Sequence, residues 1–375
     1  MGKRESTVEN LVEPSFWNGK VVLLTGDTGF KGSWLSLWLQ SMGAKVIGYA
    51  LSPPTNPSLF ATANVAKGMA SHEGDIRDIS ALSKVFKKYQ PEIVIHMAAQ
   101  SLVRHSYANP IETYSTNLMG TVHVLEAARL SGSVRAIVNV TSDKCYENRE
   151  WVWGYRENEP MGGYDPHSSS KGCAELATAA YGRSFFAPGM GRGAIASVRA
   201  GNVIGGGDWA KDRIIADLAR GLIAGEPIVV RNPDAIRPWQ HVLEPLSGYL
   251  KVAESLMTKG ASACEAWNFG ADDGGEQTVR SLATLACRLW GRPDAFRIEP
   301  EPNAVHEAKL LKLDSTKART QLGWRPSWDF EKSVTETMAW YRAFAEGADM
   351  LAFTLSQIEF HQSVRLEQSR RRIQT

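Results

Sequence analysis

The stretch KVVLLTGDTGFKG, residues Lys20–Gly32, decides the fold. Its first half is a run of apolar residues and threonine, which is typical of a strand buried on both faces of a sheet. Its second half has three glycines at G-x-x-G-x-x-G spacing, and the helical pattern SWLSLWLQSMG follows. Such a turn lets the backbone approach a pyrophosphate, whose charge the helix N-terminus stabilises. The stretch predicts a dinucleotide-binding unit whose cofactor-binding residues are Gly26, Gly29, Phe30, Lys31 and Gly32.

Further apolar runs have the same character. KVIGYAL, EIVIHMAA and AIVNVTS each predict a buried strand, and helical patterns separate them. This alternation predicts an α/β fold with a doubly wound parallel Rossmann sheet. After about Gly205 proline, tryptophan and glycine become frequent, which predicts a smaller C-terminal α+β unit. The expected organisation is an NAD-binding domain at 15–204 with a returning segment near 238–270, a nucleotide-sugar-binding domain at 205–345, and a terminal helix or tail at 346–375.

Composition excludes several classes of function. The chain has 375 residues and a formal net charge of +2, and its one basic run lies in the tail RLEQSRRRIQT. A nucleic-acid partner is therefore not expected. The sequence has no apolar run long enough to span a bilayer and no signal-like start, so no membrane association is expected. The four cysteines are scattered, which favours free thiols in the cytoplasm over disulfides or a metal site.

Two loops after predicted strands offer further contacts for a dinucleotide. Asp75 and Ile76 combine a polar side chain with an apolar wall suited to an adenine edge, although Asp75 could instead cap the following helix. The small residues Ala98 and Ala99, followed by Gln100, would let the backbone lie along the cofactor. The second strand ends in neither an acid for a ribose hydroxyl nor an arginine for a 2′-phosphate, and we expect NAD rather than NADP.

The motifs together resemble a known family. GDTGFKG, HMAA, NLMGT, TSDK and a helix with a suitably placed lysine are similar to the extended short-chain dehydrogenase/reductases. TGFKGSWL, GNVIGGGDW, RPWQHVLEPL and LKLDSTKARTQLGW narrow the resemblance to the CDP-glucose 4,6-dehydratases, over roughly residues 15 to 345.

The resemblance implies a hydro-lyase that uses NAD to convert CDP-glucose to CDP-4-keto-6-deoxyglucose, for deoxysugar and O-antigen polysaccharide biosynthesis. Sugar C4 is oxidised, water is eliminated across C5 and C6, and the hydride returns to C6. The resemblance also implies a homodimer, or a tetramer, assembled through the two helices that bear Asn117 and Lys171.

The same resemblance assigns catalytic roles. Ser142 would hydrogen-bond the C4 oxygen, Asp143 would be the acid for the C6 hydroxyl, and Lys144 would be the base for the C5 proton. The family's oxidation base is a tyrosine four residues before a lysine, but here His167 precedes Lys171. Lys171 is expected to hold the nicotinamide ribose. A neutral imidazole can accept a proton at physiological pH without any pKa shift, and the Lys171 cation would lower the imidazolium pKa, so His167 could serve as the base. Its shorter reach leaves an impaired site or a changed reaction as alternatives.

Other residues are candidates for binding. Arginine side chains suit a diphosphate because the guanidinium fork matches its oxygens. Each candidate could instead form an ordinary surface contact. Asn117 is expected to brace the lysine's helix beside the cofactor. The predicted substrate-binding residues are Arg104, Asn202, Arg213, Arg237 and His306.

Three functions remain open from the sequence. The first is the CDP-glucose dehydratase. The second is another nucleotide-sugar dehydratase or an epimerase of the same family, although epimerisation needs no elimination pair such as Asp143 and Lys144. The third is a catalytically impaired protein that binds NAD and a nucleotide sugar, which the histidine at position 167 alone supports.

Overall fold

The apolar runs of the sequence form a central parallel sheet. A computed structural model describes residues 11–186, 193–272, 274–299 and 310–374. The strands in these ranges are β1 (Val21–Thr25), β2 (Lys45–Ala50), β3 (Ala70–Glu73), β4 (Ile93–His96), β5 (Ala136–Val140), β6 (Ala194–Arg199), β7 (Val203–Ile204), β8 (Ile228–Val230), β9 (Ile236–Pro238), β10 (Gln240–His241), β11 (Ala266–Asn268), β12 (Glu276–Thr278) and β13 (Phe296–Ile298).

Seven of these strands form one sheet in the order β11-β6-β5-β4-β1-β2-β3, and every pairing in it is parallel. Strands β2 and β3 lie on one side of β1, and β4 lies on its other side, so the strand order reverses between β3 and β4. Ligands bind at the carboxyl ends of the strands beside such a switch point. The glycine turn after β1 lies there.

Helices cover both faces of the sheet. In the described ranges they are α1 (Pro14–Trp17), α2 (Phe30–Ser41), α3 (Leu59–Thr62), α4 (Ile79–Tyr89), α5 (Val103–Ala108), α6 (Pro110–Tyr114), α7 (Gly120–Ser131), α8 (Pro166–Phe185), α9 (Ile214–Ala224), α10 (Leu243–Lys259), α11 (Val279–Trp290), α12 (Thr316–Gln321), α13 (Phe330–Ala345) and α14 (Met350–Gln374). None of the described helices is long and apolar enough to cross a bilayer.

The two faces of the sheet have separate apolar cores. Side chains of a strand alternate between faces. Accordingly Leu23 packs with α4 and α7, while Val22 and Leu24 pack in the larger cluster with α2, α10 and α13. The predicted doubly wound α/β fold is thus confirmed. The short strands β8, β9, β12 and β13 form two further pairs outside this sheet.

The C-terminal helix α14 is fixed to the sheet's helical layer by a buried carboxylate. Glu244 of α10 is fully buried, and its Oε1 accepts a hydrogen bond from the backbone N–H of Trp328 at 2.9 Å. From α14, His361 Nε2 lies 3.0 Å from the same oxygen, and Arg365 Nη1 lies 3.4 Å from Oε2. Since Glu244 is the common acceptor, its removal leaves a buried guanidinium without this partner.

We expect Glu244→Ala to lower the free energy of unfolding by about 3–5 kcal/mol, the cost of breaking a buried ion pair from one side. Urea denaturation followed by circular dichroism measures it. The control is Glu359→Ala, which truncates an exposed glutamate of α14 and should change stability by about 0.5 kcal/mol or less. Equal effects of the two substitutions would contradict this account of how α14 is held.

Candidate active site

The glycine turn after β1 is built to admit a ligand at its middle glycine. Gly26 has φ +79°, and a Cβ there would lie 2.7 Å from the backbone nitrogen of Ala98. A Cβ at Gly32 would overlap the carbonyl oxygen of Gly26. At Gly29 the nearest such atom is the carbonyl oxygen of Gly26 at 3.4 Å, an ordinary van der Waals contact. Gly26 and Gly32 close the turn, and Gly29 leaves room beside it.

Helix α2 begins directly at this turn. Its N-cap is Gly29, and no side chain in the described part of the protein caps it. The first N–H groups of such a helix, together with its dipole, attract an anion. This edge fits the pyrophosphate of a dinucleotide.

The adenosine end of the predicted cofactor site differs in detail from the prediction. The carboxylate of Asp75 is held by the guanidinium of Arg77, with Nε 2.9 Å from Oδ2, and Ile76 is buried. Helix α4 is capped by Asp78, so the alternative role suggested for Asp75 is wrong. If Asp75 faces an adenine, it does so as an ion pair with Arg77.

A residue that the sequence interpretation missed is Asp27 in the glycine turn. It is fully buried, Ser71 Oγ donates to its Oδ2 at 3.2 Å, and Oδ1 has no partner among the described residues. Burial raises the pKa of Asp27 to about 6. Glu73, which accepts from Ser52, adds a second carboxylate at the same edge. Negative charge here disfavours a 2′-phosphate and agrees with the preference for NAD.

The loop after β4 is joined to helix α8 through Asn117. The Asn117 side chain accepts from the backbone N–H of Gln100 at 2.8 Å and donates to its carbonyl oxygen at 2.9 Å. It also donates to Ser170 Oγ at 2.9 Å, and that hydroxyl donates to the carbonyl oxygen of His167. The backbone N–H of Ala98 is held by Thr25 Oγ1, and Ala99 lies between these anchors. This chain of bonds sets the distance between the cofactor loop and α8.

Ser142, assigned to the C4 oxygen, and the elimination pair Asp143 and Lys144 form a tight turn, the elimination turn, at the carboxyl end of β5. Ser142 Oγ donates to Asp143 Oδ1 at 2.9 Å and accepts from the backbone N–H of Lys144 at 3.2 Å. Asp143 is buried, and a Cβ at Gly201 would overlap its carboxylate. The absence of a side chain at position 201 therefore makes room for the acid.

His167 and Lys171 lie on the buried side of α8. Helix α8 starts at Pro166, with Asp165 as its N-cap, so Tyr164 lies outside the helix and is 76% exposed. Lys171 Nζ donates to the carbonyl oxygen of Val140 at 3.3 Å. Burial lowers the pKa of Lys171 to about 8, while Glu175 opposes the change.

The pKa of the His167 imidazole differs from that of a histidine in water. Burial, followed by the charges of Lys171 and Lys144, lowers the pKa of His167 to about 3. Its Nδ1 has no hydrogen-bond partner in the described ranges. The direction of this pKa change is the one expected from the neighbouring Lys171 cation, but burial is the larger cause of the lower pKa. The imidazole is neutral at pH 7, but it is a weaker proton acceptor than an ordinary histidine.

Two further cations face this cluster. Burial of its ammonium group, and then the charge of Arg213, lowers the pKa of Lys31 to about 8, while Asp143 acts in the opposite sense. Arg213 donates from Nη1 to Asp208 at 2.8 Å and from Nη2 to Ser101 at 3.2 Å. Lys31, at the glycine turn, is therefore close enough to interact electrostatically with Asp143 in the elimination turn.

The remaining predicted substrate residues are spread over several elements. Asn202 has φ +49° and follows Gly201, directly behind Asp143. Arg104 lies in α5, just beyond Gln100, and Arg237 lies in β9 opposite Gln277. His306 lies outside the described residues.

The sequence interpretation also missed a buried ion pair between Glu175 and Arg199, which lies behind the elimination turn. The spacing of Glu175, one helical turn after Lys171, was the available signal. No group of three or more histidine, cysteine, aspartate or glutamate side chains in the described ranges is placed to hold a metal ion.

Comparison with known proteins shows the family of the chain. Residues 23–337 match the family described as GDP-mannose 4,6 dehydratase. The chain is 54% identical over 359 residues to the CDP-glucose 4,6-dehydratase of Salmonella typhimurium, which covers 94% of this chain and 99% of that protein. It is 26% identical over 338 residues to a dTDP-glucose 4,6-dehydratase of Xanthomonas campestris, covering 85% of this chain and 92% of the relative.

Solved structures share the fold. An epimerase of Methanothermobacter thermautotrophicus has a TM-score of 0.76 at 24% identity, covering 92% of this chain and 97% of that one. A dTDP-glucose 4,6-dehydratase double mutant of Streptomyces venezuelae, solved with NAD bound, has a TM-score of 0.73 at 23% identity, with 88% and 99% covered. At these identities the likeness concerns architecture alone.

Proposed function

The chain belongs to the family described as GDP-mannose 4,6 dehydratase, and we propose on that premise that it converts CDP-glucose to CDP-4-keto-6-deoxyglucose and water. The membership expected from the sequence motifs is confirmed. The observation that carries the proposal is the match to the Salmonella CDP-glucose 4,6-dehydratase along nearly the whole of both chains. The protein is accordingly a hydro-lyase that acts on a nucleotide sugar.

NAD is the cofactor that the site fits. Its pyrophosphate would lie at the backbone of Gly29 and the uncapped start of α2. Its nicotinamide end would lie near Ala98, Ala99 and Lys171. NAD held there would supply the acceptor for the hydride of sugar C4 and the donor that returns it to C6.

The side chains on α8 and after β5 would divide the proton transfers between them. Ser142 holds the C4 oxygen while His167 takes the hydroxyl proton, and the charge of Lys171 favours the oxygen anion as it develops. Lys144 then removes the C5 proton, and Asp143 protonates the departing C6 hydroxyl. The bond from Ser142 to Asp143 supports this division, because it holds the acid beside the group that contacts C4.

Binding of the diphosphate would fall to positively charged side chains at the mouth of the site. Arg213 is fixed by Asp208 and Ser101, and its fork matches phosphate oxygens. Arg104, Asn202, Arg237 and His306 are the further residues proposed for the nucleotide sugar.

The experiment is a substrate comparison. The purified protein is incubated with NAD and with CDP-, UDP-, GDP- or dTDP-glucose, and the 4-keto product is measured by its absorbance in alkali. Product from CDP-glucose alone supports the proposal. Product from another nucleotide and none from CDP-glucose would refute the substrate. Loss of the C4 configuration without loss of water would indicate an epimerase.

We also propose a cytoplasmic homodimer. Its interface would be formed by the helices that bear Asn117 and Lys171, where Met119, Leu130 and Leu176 are exposed apolar side chains. Four free cysteines in the described ranges agree with a reducing compartment.

A charge in this apolar surface should oppose assembly. We expect Leu176→Glu to convert a dimer to a monomer in sedimentation at micromolar concentration, because it would bury an unpaired carboxylate. Lys87→Glu, an exposed change on α4, is the control. A wild-type monomer, or a dimer unaffected by Leu176→Glu, would show that the interface is wrong.

A further inference from the structure

A buried ion pair stands directly behind the turn that carries Asp143 and Lys144. Glu175 lies on α8, and Arg199 is the last residue of β6. The guanidinium binds the carboxylate with both arms, Nε to Oε1 at 2.7 Å and Nη2 to Oε2 at 2.9 Å. The two side chains are 4% and 5% exposed. Neither can reach a substrate in this position, so their role is exerted through what they bind.

Both ends of the elimination turn are bonded to this pair. Thr141 Oγ1 donates to Glu175 Oε1, and Arg199 Nη1 donates to the hydroxyl of Tyr146. Thr141 and Tyr146 are the residues that immediately flank the turn 142–145. One ion pair therefore holds the turn at its first and last positions.

Tyr146 is also held by Asn268, on the side away from the ion pair. The Tyr146 hydroxyl donates to Asn268 Oδ1 at 2.9 Å, and Asn268 stands opposite Arg199 in the register of β6 and β11. Asn268 Nδ2 donates to the carbonyl oxygen of Tyr155 at 2.8 Å. The turn is thus bonded to the edge of the sheet as well as to α8.

These residues are not acids or bases of the reaction. Burial raises the pKa of Tyr146, and its hydroxyl is occupied on both sides. Burial would raise the pKa of Glu175, but the charge of Arg199, together with hydrogen bonds from Arg199, Thr141 and Ser197, lowers it below its ordinary value. A buried ion pair is seldom better for stability than apolar residues of the same volume. Stability alone therefore does not account for it.

We infer that the Glu175–Arg199 ion pair is a positioning device for the elimination step, which holds Asp143 and Lys144 against C6 and C5 of the sugar. The inference rests on the proposed dehydratase function. In that step the C5 proton passes to the Lys144 amine, and the C5–H electron pair forms a C5–C6 double bond. The C6–O bond breaks, and the hydroxyl leaves as water with the proton of Asp143. Since both groups act on adjacent carbons, a shift of the turn by about 1 Å should cost up to about 10²-fold in rate.

Two nearly isosteric variants cut one end of the turn each, without touching Lys171. Thr141→Val removes the bond to Glu175, and Tyr146→Phe removes the bonds to Arg199 and Asn268. The matched control is Tyr155→Phe. The Tyr155 ring stacks on Tyr146 at 5.1 Å, but its hydroxyl bonds only within 148–149 among the described residues.

The measurement is kcat and KM for CDP-glucose with NAD, using substrate that carries deuterium at C4 or at C5. Thr141→Val and Tyr146→Phe should lower kcat by about tenfold or more and leave KM within about twofold. The C5 isotope effect should dominate kcat in both, because elimination becomes rate-limiting. Tyr155→Phe should match the wild type in kcat and KM. All variants should stay folded, with melting temperatures within about 10 °C of the wild type, since each loses one or two buried hydrogen bonds.

The outcomes separate the two proposals. An unchanged kcat, or a fall in kcat with a dominant C4 isotope effect, overturns the positioning role while the dehydratase function stands. A wild-type protein that forms no 4-keto sugar from CDP-glucose refutes the proposed function, and the positioning role falls with it.

Discussion

Replacement of Lys144 by methionine is expected to lower kcat for CDP-glucose by about 10²-fold or more, the contribution of a positioned general base. Methionine keeps much of the length of the side chain and removes its amine. The turn that holds Lys144 is bonded through its backbone N–H to Ser142, so it should survive the substitution. Oxidation at C4 uses other residues, and the reduced cofactor should accumulate during turnover as absorbance at 340 nm.

The control for this variant is Lys45→Met. Lys45 is an exposed lysine at the amino end of β2, which is the edge of the sheet opposite the site. It should leave kcat and KM unchanged. A Lys144→Met enzyme that keeps more than about a fifth of the wild-type kcat would remove Lys144 from the role of C5 base.

The sequence was sufficient for features that depend on local pattern. The glycine spacing after β1 predicts a turn, and the structure shows why Gly26 and Gly32 tolerate no side chain. That turn requires only a strand, a turn and a helix in succession. The NLMGT motif around Asn117 suggested a brace for the helix of Lys171, and its bonds to Gln100 and Ser170 agree with that role.

Other features could not be predicted, because they depend on contacts between distant segments. The pair of Glu175 and Arg199 joins α8 to a strand of the sheet. The third partner, Asn268, comes from β11, which returns to the sheet edge far along the chain. The spacing of His167 and Lys171 predicted a lowered pKa for the imidazole, but the larger contribution comes from its burial, which no spacing reveals.

Burial, and after it the charges of the site, lower the pKa of His167. The charges that lower it are those of Lys171, Lys144 and Arg213, while Asp165 opposes them. A diphosphate and a developing sugar alkoxide are negative, so these cations favour binding and oxidation. The same field that stabilises an anion disfavours the imidazolium that His167 must become when it takes a proton.

The positive charges around position 167 would favour a tyrosine as the base, because they stabilise its phenolate form. We expect His167→Tyr to raise kcat at pH 7 by about tenfold or more, within the range that a general base contributes. A phenol becomes an anion when it acts as a base. Burial at this position raises the pKa of the phenol, whereas the neighbouring cations lower it from about 10 towards the working pH, and we expect the cations to prevail. It also reaches further from α8 than an imidazole.

The pH dependence of kcat/KM tests whether the higher rate expected for His167→Tyr comes from the protonation state of the base. Because the His167 imidazole is unprotonated above about pH 3, the wild-type rate should show no acidic limb from it between pH 5 and 8. The tyrosine variant should show a rate that rises with pH, since the phenolate is its active form. His167→Phe, which keeps a ring and has no base, should be slower than the wild type if His167 accepts the proton. Two results would contradict this account: a His167→Tyr enzyme that is slower than the wild type, or a wild-type kcat/KM that falls below about pH 6.5. Either result would mean that imidazole is the better base when substrate is bound.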